Sequence, residues 1–426
     1  MLHKTFSVLL VCSAALLTSN ASAHFEQEEL TQIEIKTYQP TPVPDRIILT
    51  LSGDPATERS VNWRTDNNTE TALAQIAKSS GSPYIEQDSK TIKGITSSLK
   101  TQHYTSYHHS VRFQGLEPAT NYVYRVGDGQ VWSEWIQFKT SKADNSPFSF
   151  IYFGDAQNDL KSRWSRVIRQ AYSDMPKADF ILHVGDLVND ALDDQEWGQW
   201  FYSAGWINGS IPSIATPGNH EYEDGDLSPQ WNTHFTFPGN GPDNSKLKNS
   251  VYYIDYQGTR FISLNTQSMS EDPIVKTMQQ KLWLEKVLKN NPNRWTIIFQ
   301  HHPMSSAKEG RTASIPLNLM FKSIYEEYSV DLVLQGHDHA YARGNNLSTG
   351  GRFFDRQGPV YAVSVSGPKM YDAGAEWADV TEQNNQLYQL IDVSEKEIRY
   401  RAFHADGLMF DSFVITKDEQ GKRAVK

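Results

Sequence analysis

Two histidines separated by one residue, His337 and His339, follow a short apolar stretch at residues 330–335. The stretch is rich in branched side chains, which predicts a buried strand, and Gly336 then lets the backbone turn. In extended backbone, positions i and i+2 project to the same side, so both imidazoles would face one point beyond the strand end. Neutral imidazole is a good ligand for zinc, iron or manganese. The pair therefore predicts a site for one ion or two neighbouring ions, although an isolated His-x-His is more often two loop histidines without a ligand role.

Four further apolar segments end in the same way, each delivering Asp, Asn or His where a predicted strand stops. They lead into Gly154-Asp155-Ala156-Gln157, Gly185-Asp186, Gly218-Asn219-His220-Glu221 and His301-His302-Pro303. Open α/β sheets bind ligands at the carboxyl ends of their strands. Oxygen and imidazole ligands without a thiolate suit Zn, Fe or Mn and argue against copper or an iron–sulfur cluster. Five such strand ends in one chain predict a metal site at one sheet edge.

The order of these motifs resembles that of the calcineurin-like metallophosphoesterases, and within them most closely the purple acid phosphatases. The tail Tyr341-Ala342-Arg343 is similar to the Tyr-Glu-Arg of that family, with Ala342 where Glu is usual. The resemblance covers about residues 40–415. It implies a two-sheet sandwich flanked by helices and a phosphatase that hydrolyses phosphate monoesters by attack of a metal-bound hydroxide.

The resemblance also implies a dinuclear centre that holds two divalent ions, either Zn, Mn or Fe. By position in the motifs, Asp186 would bridge the two ions, and Asp155 and His339 would complete the first site. The second site would be completed by three further side chains, Asn219, His301 and His337. The implied substrate is a small phosphate ester.

Five other motif residues receive roles from the same resemblance. His220 would protonate the leaving group, or would only orient the neighbouring ligand. His302 and Arg343 would contact phosphate or support the ligands from outside. Asn189 stands where the purple enzymes have a tyrosinate ligand, and Gln157 where they have Gly. Each of these two amides either offers a carbonyl oxygen to the first metal or hydrogen-bonds to nearby water, and a colourless enzyme is expected.

The N-terminal 142 residues divide into three parts. Residues 1–23 have the basic start, apolar run and small-x-small site of a signal peptide, which predicts a periplasmic or secreted protein with no membrane contact after its removal. Residues 24–41 are polar and are expected to form a flexible lead-in. Strand-length runs with turn signals in 42–142 predict a β-sandwich, with Trp63 in its core. Residues 116–126 resemble the tyrosine corner of fibronectin type III domains.

Residues 148–418 alternate strand and helix patterns and are expected to form the α/β catalytic domain. Apolar runs at 360–365, 387–393 and 398–404 have little helix between them and are expected to form a second sheet on the first. Helix 274–290 is predicted from the spacing of apolar residues that include Met278 and Leu282. Residues 221–250 are expected to be substrate-facing loops.

Composition excludes several functions. The single cysteine, Cys12, lies in the predicted signal peptide, so the mature chain can form no internal disulfide. The formal net charge of −10 argues against sequence-independent nucleic-acid binding. Two alternatives to a phosphomonoesterase stay open: a phosphodiesterase or nucleotidase on the same core, and a non-catalytic binding or adhesion protein that keeps the fold.

Overall fold

The computed structural model describes residues 33, 35–311, 315–345 and 358–426. The predicted signal peptide with Cys12 lies outside the described residues, as does most of the predicted lead-in. Within the described ranges, no helix combines the length and the apolar character needed to cross a membrane.

The N-terminal domain is a β-sandwich in which the sheet β1-β2-β6-β5 faces the sheet β4-β3-β7-β8. Its elements are β1 Asp45–Thr50, β2 Arg59–Asp66, β3 Leu73–Lys78, α1 Ile85–Asp88, β4 Lys90–Lys93, β5 Ile95–Lys100, β6 Thr105–Phe113, β7 Asn121–Gly127 and β8 Ile136–Lys139. Trp63 is buried between the sheets, as predicted. The Tyr122 hydroxyl accepts a hydrogen bond from the Glu117 amide at 2.9 Å, which is the bond expected of a tyrosine corner.

The catalytic domain has two large sheets with helices on their outer faces. Its strands are β9 Phe148–Phe153, β10 Phe180–His183, β11 Ser213–Ala215, β12 Tyr222–Glu223, β13 Asp226–Leu227, β14 Tyr252–Tyr256, β15 Thr259–Leu264, β16 Trp295–Gln300, β17 Leu332–Gln335, β18 Tyr341–Asn345, β19 Val360–Val363, β20 Val380–Glu382, β21 Leu387–Val393, β22 Glu397–His404, β23 Met409–Lys417 and β24 Arg423–Val425. Its α-helices are α2 Ser165–Asp174, α3 Asp194–Ala204, α4 Ile207–Ser210, α5 Pro229–His234, α6 Thr266–Glu271, α7 Val275–Lys289 and α8 Ile315–Glu327. A π-helical turn, Leu160–Trp164, precedes α2, and 3₁₀ turns lie at Asn219–Glu221 and Ser245–Leu247.

The predicted two-sheet architecture is confirmed, but the predicted assignment of strands to sheets is wrong. The first sheet runs β24-β23-β22-β21-β9-β10-β11, so two of the three C-terminal apolar runs, β21 and β22, belong to the same sheet as β9. The third, β19, pairs with β17 in the sheet β14-β15-β16-β17-β19-β18-β20. The motif-bearing strands are therefore divided, with β9, β10 and β11 in one sheet and β16 and β17 in the other. Apolar patterning marks a strand as buried but does not state which neighbour it pairs with.

Helix α7 forms where it was predicted, but the face assigned to the core is partly wrong. Met278 and Leu282 are exposed, at 43% and 58% of their full accessible surface. The buried face carries Gln280 and Leu284 instead, and the Gln280 amide hydrogen-bonds to the Asn265 backbone. A polar side chain with a buried partner can take a core position, which apolar spacing alone does not reveal.

The segment 221–250 is more ordered than the predicted loops. It contains the β12–β13 hairpin and α5, and Trp231, Phe235 and Phe237 from this segment are buried in the main core. Helix α5 also packs against strands β2, β5 and β6 of the N-terminal domain. Part of the segment therefore packs against both domains.

The two domains share one continuous sheet, because β1 pairs in parallel with β11 through Thr50 and Ser213. Beside this junction, the buried Asp194 carboxylate binds two arginines of the N-terminal domain. Arg46 approaches it at 2.6 Å and Arg64 at 2.9 Å, and all three side chains are at least 97% buried. The hydroxyl of Tyr104 also donates to Asp194. Arg64 has a second partner in Asp45, at 2.7 Å, whereas Asp194 is the only carboxylate of the described residues that pairs with Arg46. Loss of Asp194 would therefore leave buried positive charge at the junction.

We expect Asp194→Ala to destabilise the protein by about 3–5 kcal/mol, because two buried guanidinium groups would lose their shared partner. Chemical denaturation of the purified chain measures this loss. Asp226→Ala is the matched control, since Asp226 pairs with Lys246 on the surface, where both side chains are more than half exposed. An Asp194→Ala protein as stable as this control would contradict the assignment.

Candidate metal centre

Five strand ends meet at one edge of the two facing sheets. β9, β10 and β11 deliver their motifs from the first sheet, and β16 and β17 deliver theirs from the second. The closeness of the two sheets is visible at Gly154, where a Cβ atom would lie 1.9 Å from the Ser364 carbonyl oxygen. The predicted convergence of the motifs therefore occurs between two sheets rather than along one.

The backbone turns sharply at two of the proposed ligands. Asp186 has φ of 51° and His337 has φ of 70°, both in the left-handed region that few non-glycine residues adopt. His337 thus departs from the extended backbone assumed in the sequence argument, and the two histidines of the His-x-His pair face different neighbours. His337 Nδ1 lies 2.9 Å from Asn219 Oδ1, whereas His339 Nε2 lies 3.4 Å from Asp155 Oδ2. The sequence left open whether the pair binds one ion or two neighbouring ions, and this geometry favours two.

The described residues form two compact groups of possible ligands. In one, ligand atoms of Asp155, Asp186 and His339 lie within 4.8 Å of one another; in the other, those of His301, His302 and His337 do so. Asp186 Oδ2 joins the groups, at 3.2 Å from His301 Nε2. Asn219 belongs to the second group, because its Oδ1 lies 3.1 Å from His301 Nε2. The structure therefore brings together all six predicted ligands, with Asp186 between the two groups.

The buried carboxylate of Asp155 gives a further reason to expect divalent metal ions at this site. Asp155 is fully buried, and its Oδ2 has no hydrogen-bond partner in the described part of the chain. Burial raises the pKa of Asp155 well above its usual range. A buried carboxylate oxygen without a partner needs a cation to offset its lost hydration. Oxygen and nitrogen donors of this kind suit Zn, Mn or Fe.

The histidines are held with one ring nitrogen directed at the centre. His301 Nδ1 lies 2.8 Å from the Val184 carbonyl oxygen and His339 Nδ1 lies 3.0 Å from the Lys369 carbonyl oxygen, which leaves Nε2 of each ring free to bind a metal. Burial would lower the pKa of His301, but the Asp186 carboxylate raises it to about 9. Burial and the charge of His301 lower the pKa of His337 to about 3. Metal binding must therefore displace a proton from His301.

Glu221 is a functional residue that the sequence reasoning did not assign, although it stands in the Gly-Asn-His-Glu motif. Its fully buried carboxylate accepts backbone hydrogen bonds from Asp186 at 2.8 Å, Leu187 at 2.7 Å and Gly218 at 2.7 Å. It thereby connects the loop of Asp186 to the loop of Asn219. Burial and the nearby Asp186 charge raise the pKa of Glu221 to about 7. Sequence offered one signal, an acidic residue at a fixed place beside the ligands.

His220 lies at the rim of the first group in a small polar network. Its Nδ1 is 2.6 Å from the Asn189 carbonyl oxygen, and its backbone amide donates to Asp186 Oδ1 at 2.9 Å. Gln157 Nε2 lies 3.3 Å from His220 Nε2 and donates to Asn189 Oδ1 at 3.1 Å. Gln157 Oε1 is buried without a partner among the described residues, so it is the amide oxygen that stays available to a metal.

Of the two remaining predicted residues, His302 lies at the ligand cluster and Arg343 does not. His302 is a member of the second group, with its ring centre 4.4 Å from that of His337 and its Nδ1 2.9 Å from Thr266 Oγ1. The Arg343 guanidinium is instead held by Asp411, at 2.9 and 3.1 Å, and by Asp379 at 3.4 Å. Because carboxylates occupy its donors, Arg343 braces β18 against β23 and is not brought into the ligand cluster.

Comparison with known proteins agrees with this geometry. The family model described as "Purple acid Phosphatase, N-terminal domain" matches residues 44–140, and that described as "Calcineurin-like phosphoesterase" matches residues 148–341. Together the two models match more than half of the chain. The chain belongs to the calcineurin-like phosphoesterases of the purple acid phosphatase type. The N-terminal sandwich is therefore this family's own N-terminal domain.

Similar proteins in the family carry phosphatase names. "Acid phosphatase type 7" of Homo sapiens is 27% identical over 360 residues, covering 77% of this chain and 78% of that protein. The same-named protein of Danio rerio is 29% identical over 265 residues, but the alignment spans only 57% of its length. "Fe(3+)-Zn(2+) purple acid phosphatase 12" of Arabidopsis thaliana, 26% identical over 284 residues, is named for two metal ions.

Solved structures confirm the fold. Purple acid phosphatase PPD1 from Lupinus luteus seeds superposes with a TM-score of 0.74 at 18% identity, covering 89% of this chain and 75% of that one. PhoD superposes with a TM-score of 0.67 at 14% identity, covering 90% and 92%. The two-domain arrangement is thus shared by this family of metallophosphoesterases.

We expect Glu221→Gln to weaken metal binding roughly 10- to 100-fold, the usual effect of changing a residue that orients metal ligands. An amide replaces one acceptor oxygen with a donor that would face a backbone N–H. Zinc titration of the metal-free protein, followed by metal analysis after dialysis, measures the change. Glu223→Gln is the control, because Glu223 is exposed two residues away; equal affinities for both variants would refute the role.

Proposed function

We propose that this chain is a dinuclear-metal phosphatase that hydrolyses small phosphate monoesters in the periplasm or outside the cell. The observation that carries this proposal is the placement of Asp186 between two ligand groups, at 3.2 Å from His301 Nε2 and within 4.8 Å of the Asp155 and His339 ligand atoms. One carboxylate shared by two groups is what a pair of adjacent ions requires. The phosphatase names of the relatives support the same conclusion.

Asp155, Asp186, Asn219, His301, His337 and His339 would hold the two ions. Such a pair supplies positive charge for the phosphoryl group and activates water as the nucleophile. The protein's part is to fix these ligands in a buried, water-poor site, where charge interactions are stronger than in water. Two hydrogen bonds orient Asp186. The His220 backbone amide donates to the Asp186 carboxylate, and the Asp186 backbone amide donates to the Glu221 carboxylate.

His220 is placed to protonate the leaving oxygen. With Nδ1–H donated to the Asn189 carbonyl, a proton on Nε2 points away from that backbone and can pass to the departing group. In the free protein this nitrogen meets the Gln157 amide at 3.3 Å, and the amide must give way or present its oxygen when substrate binds. Gln157 and Asn189 thus set the orientation of His220.

Two other functions have less support. A phosphodiesterase or nucleotidase would use the same ligands, but the named relatives above are acid phosphatases. A non-catalytic role has a precedent in name, since "Probable inactive purple acid phosphatase 1" of Arabidopsis thaliana is 24% identical over 368 residues. The complete ligand set and the retained His220 argue against that role here.

Hydrolysis of phenyl phosphate and bis(phenyl) phosphate by the zinc- or manganese-loaded protein tests the proposal directly. We expect turnover of the monoester to be faster. Asp186→Ala should remove nearly all activity and lower the metal content to one ion or none, because both sites lose a ligand. Full activity with two ions in Asp186→Ala would refute the bridge, and inactivity of the loaded wild-type protein would refute the function.

The assigned role of His220 predicts a dependence on the leaving group. His220→Ala should slow esters of poorly acidic alcohols by about 10²–10⁴-fold, the usual scale for a general acid. Esters of acidic phenols should lose much less, because their leaving oxygen departs without a proton. Steady-state kcat for propyl phosphate and 4-nitrophenyl phosphate measures both losses. Equal losses on the two esters would mean that His220 acts in another way.

The absence of a tyrosinate at position 189 predicts a colourless, divalent centre. Asn189 Oδ1 accepts a hydrogen bond from the Gln157 amide. Among the described contacts, Tyr371 is the tyrosine that reaches the centre, with its ring packed against His339. Protein loaded with iron should therefore lack a strong visible band from a phenolate ligand. Absorption spectra of the wild-type and Tyr371→Phe proteins check this, and a purple band lost in Tyr371→Phe would contradict it.

A further inference from the structure

A cluster of cationic side chains borders the metal centre on the side of His339. Tyr371 packs against the His339 ring with 4.8 Å between ring centres, and its backbone amide donates to the His339 carbonyl at 2.8 Å. Three cations surround this tyrosine: Lys308 Nζ at 3.9 Å from the ring centre, Arg311 at 5.7 Å and Lys369 Nζ at 5.9 Å. We call these four residues the Tyr371 cluster.

The backbone fixes the cluster to the ligand loop. Lys369 accepts the His339 Nδ1 hydrogen bond through its carbonyl oxygen at 3.0 Å. Lys308 pairs with Ala373 in an antiparallel bridge, and the adjacent Glu309 amide donates to the Asp372 carbonyl at 2.8 Å. The positions of the ammonium groups therefore follow from the same loops that position a metal ligand.

The charges of the cluster are only partly neutralised. The carboxylate of Asp338 binds Arg311, and it is fixed in turn by the Ala307 amide at 2.7 Å. No carboxylate of the described residues pairs with Lys308 or Lys369, and both are half-buried. Two unpaired ammonium groups thus remain beside the centre.

Two half-buried ammonium groups without a carboxylate partner among the described residues give this side of the centre a positive potential that attracts an anion. The transferred phosphoryl group is bound by the metal site, so this anion must be another part of the substrate. The pairing of Tyr371 with Lys308 reduces the motion of the ammonium group before binding, which lowers the entropic cost of an ion pair.

We infer that Lys308 and Lys369 bind a second anionic group of the substrate, so that the preferred substrates are phosphate monoesters carrying a further phosphate or carboxylate a few bonds away. This inference rests on the proposed phosphatase function, which it narrows to a class of substrate. Lys308 and Lys369 are specificity-determining residues in this view, outside the reacting atoms.

Three esters with closely similar alkyl leaving groups test the inference on the full-length, zinc-loaded chain. They are propyl phosphate, propane-1,3-diol bisphosphate and 3-phosphonooxypropanoate. We expect kcat/KM to be about tenfold higher for the esters with a second charge, which corresponds to about 1.4 kcal/mol. The two charged esters distinguish a phosphate-selective site from one that also accepts carboxylate.

The double variant Lys308→Gln with Lys369→Gln should remove this preference while changing propyl phosphate by less than about threefold. Lys396→Gln, on an exposed turn between β21 and β22, is the control and should keep the preference. Should the glutamine variant fold poorly, Lys308→Arg with Lys369→Arg retains the charges and should retain the preference. A preference that survives loss of both lysines, or is absent from the wild type, overturns the inference.

A binding measurement separates this inference from the proposed function. Calorimetric titration with propane-1,3-bisphosphonate and propylphosphonate requires no turnover. About tenfold tighter binding of the bisphosphonate, lost in the glutamine variant and weakened by added salt, supports the second anion site even if no ester is hydrolysed. Equal binding of the two phosphonates overturns it even if propyl phosphate is a good substrate.

Discussion

Two buried carboxylates, Asp155 and Asp186, lie in one cluster, and the need to offset their charge governs the rest of the site. Burial raises the pKa of Asp155, whereas His301 holds that of Asp186 below its usual range. Among the described residues, neither acid pairs with a lysine or arginine, and backbone amides and imidazoles contact them instead. Amides and neutral imidazoles offset only part of two negative charges, so the site is completed by cations.

Glycines allow this concentration of charge to exist. A Cβ at Gly336 would lie 2.2 Å from Asp155 Oδ1, and one at Gly218 would lie 2.1 Å from Asp186 Oδ1. Gly185, with φ of 92°, makes the turn that places Asp186 in its left-handed conformation. These glycines are therefore a steric requirement, because a side chain at Gly218 or Gly336 would overlap a carboxylate of the site. A side chain at Gly154 or Gly185 would overlap the backbone of a facing loop.

Much of this site was predictable from sequence because the predicted ligands follow five strands, and strand ends are local features. Strands β9 and β16 end directly before their motifs, β21 has the predicted bounds, and the six predicted ligands lie close together. Features that depend on contacts between residues far apart in the chain could not be predicted from sequence. The role of Glu221 exists only because residues 186 and 187 come within hydrogen-bond distance of it, and the exposed face of α7 arises because Asn265 satisfies Gln280. Sheet membership of β19 and β21 likewise depends on pairing between residues far apart in the chain.

The negative charge of the whole chain gives the local cations their importance. A net charge of −10 repels anionic substrates at distances where the protein appears as a single charge. That repulsion is screened within about 8–10 Å at physiological salt, so groups beside the site decide the field that a nearby phosphate ester meets. There, the metal ions and the ammonium groups of Lys308 and Lys369 would be the positive charges, whereas Arg311 is already paired with Asp338. An acidic protein can therefore attract a polyanion at its reaction centre while the remainder of its surface discourages binding of nucleic acids.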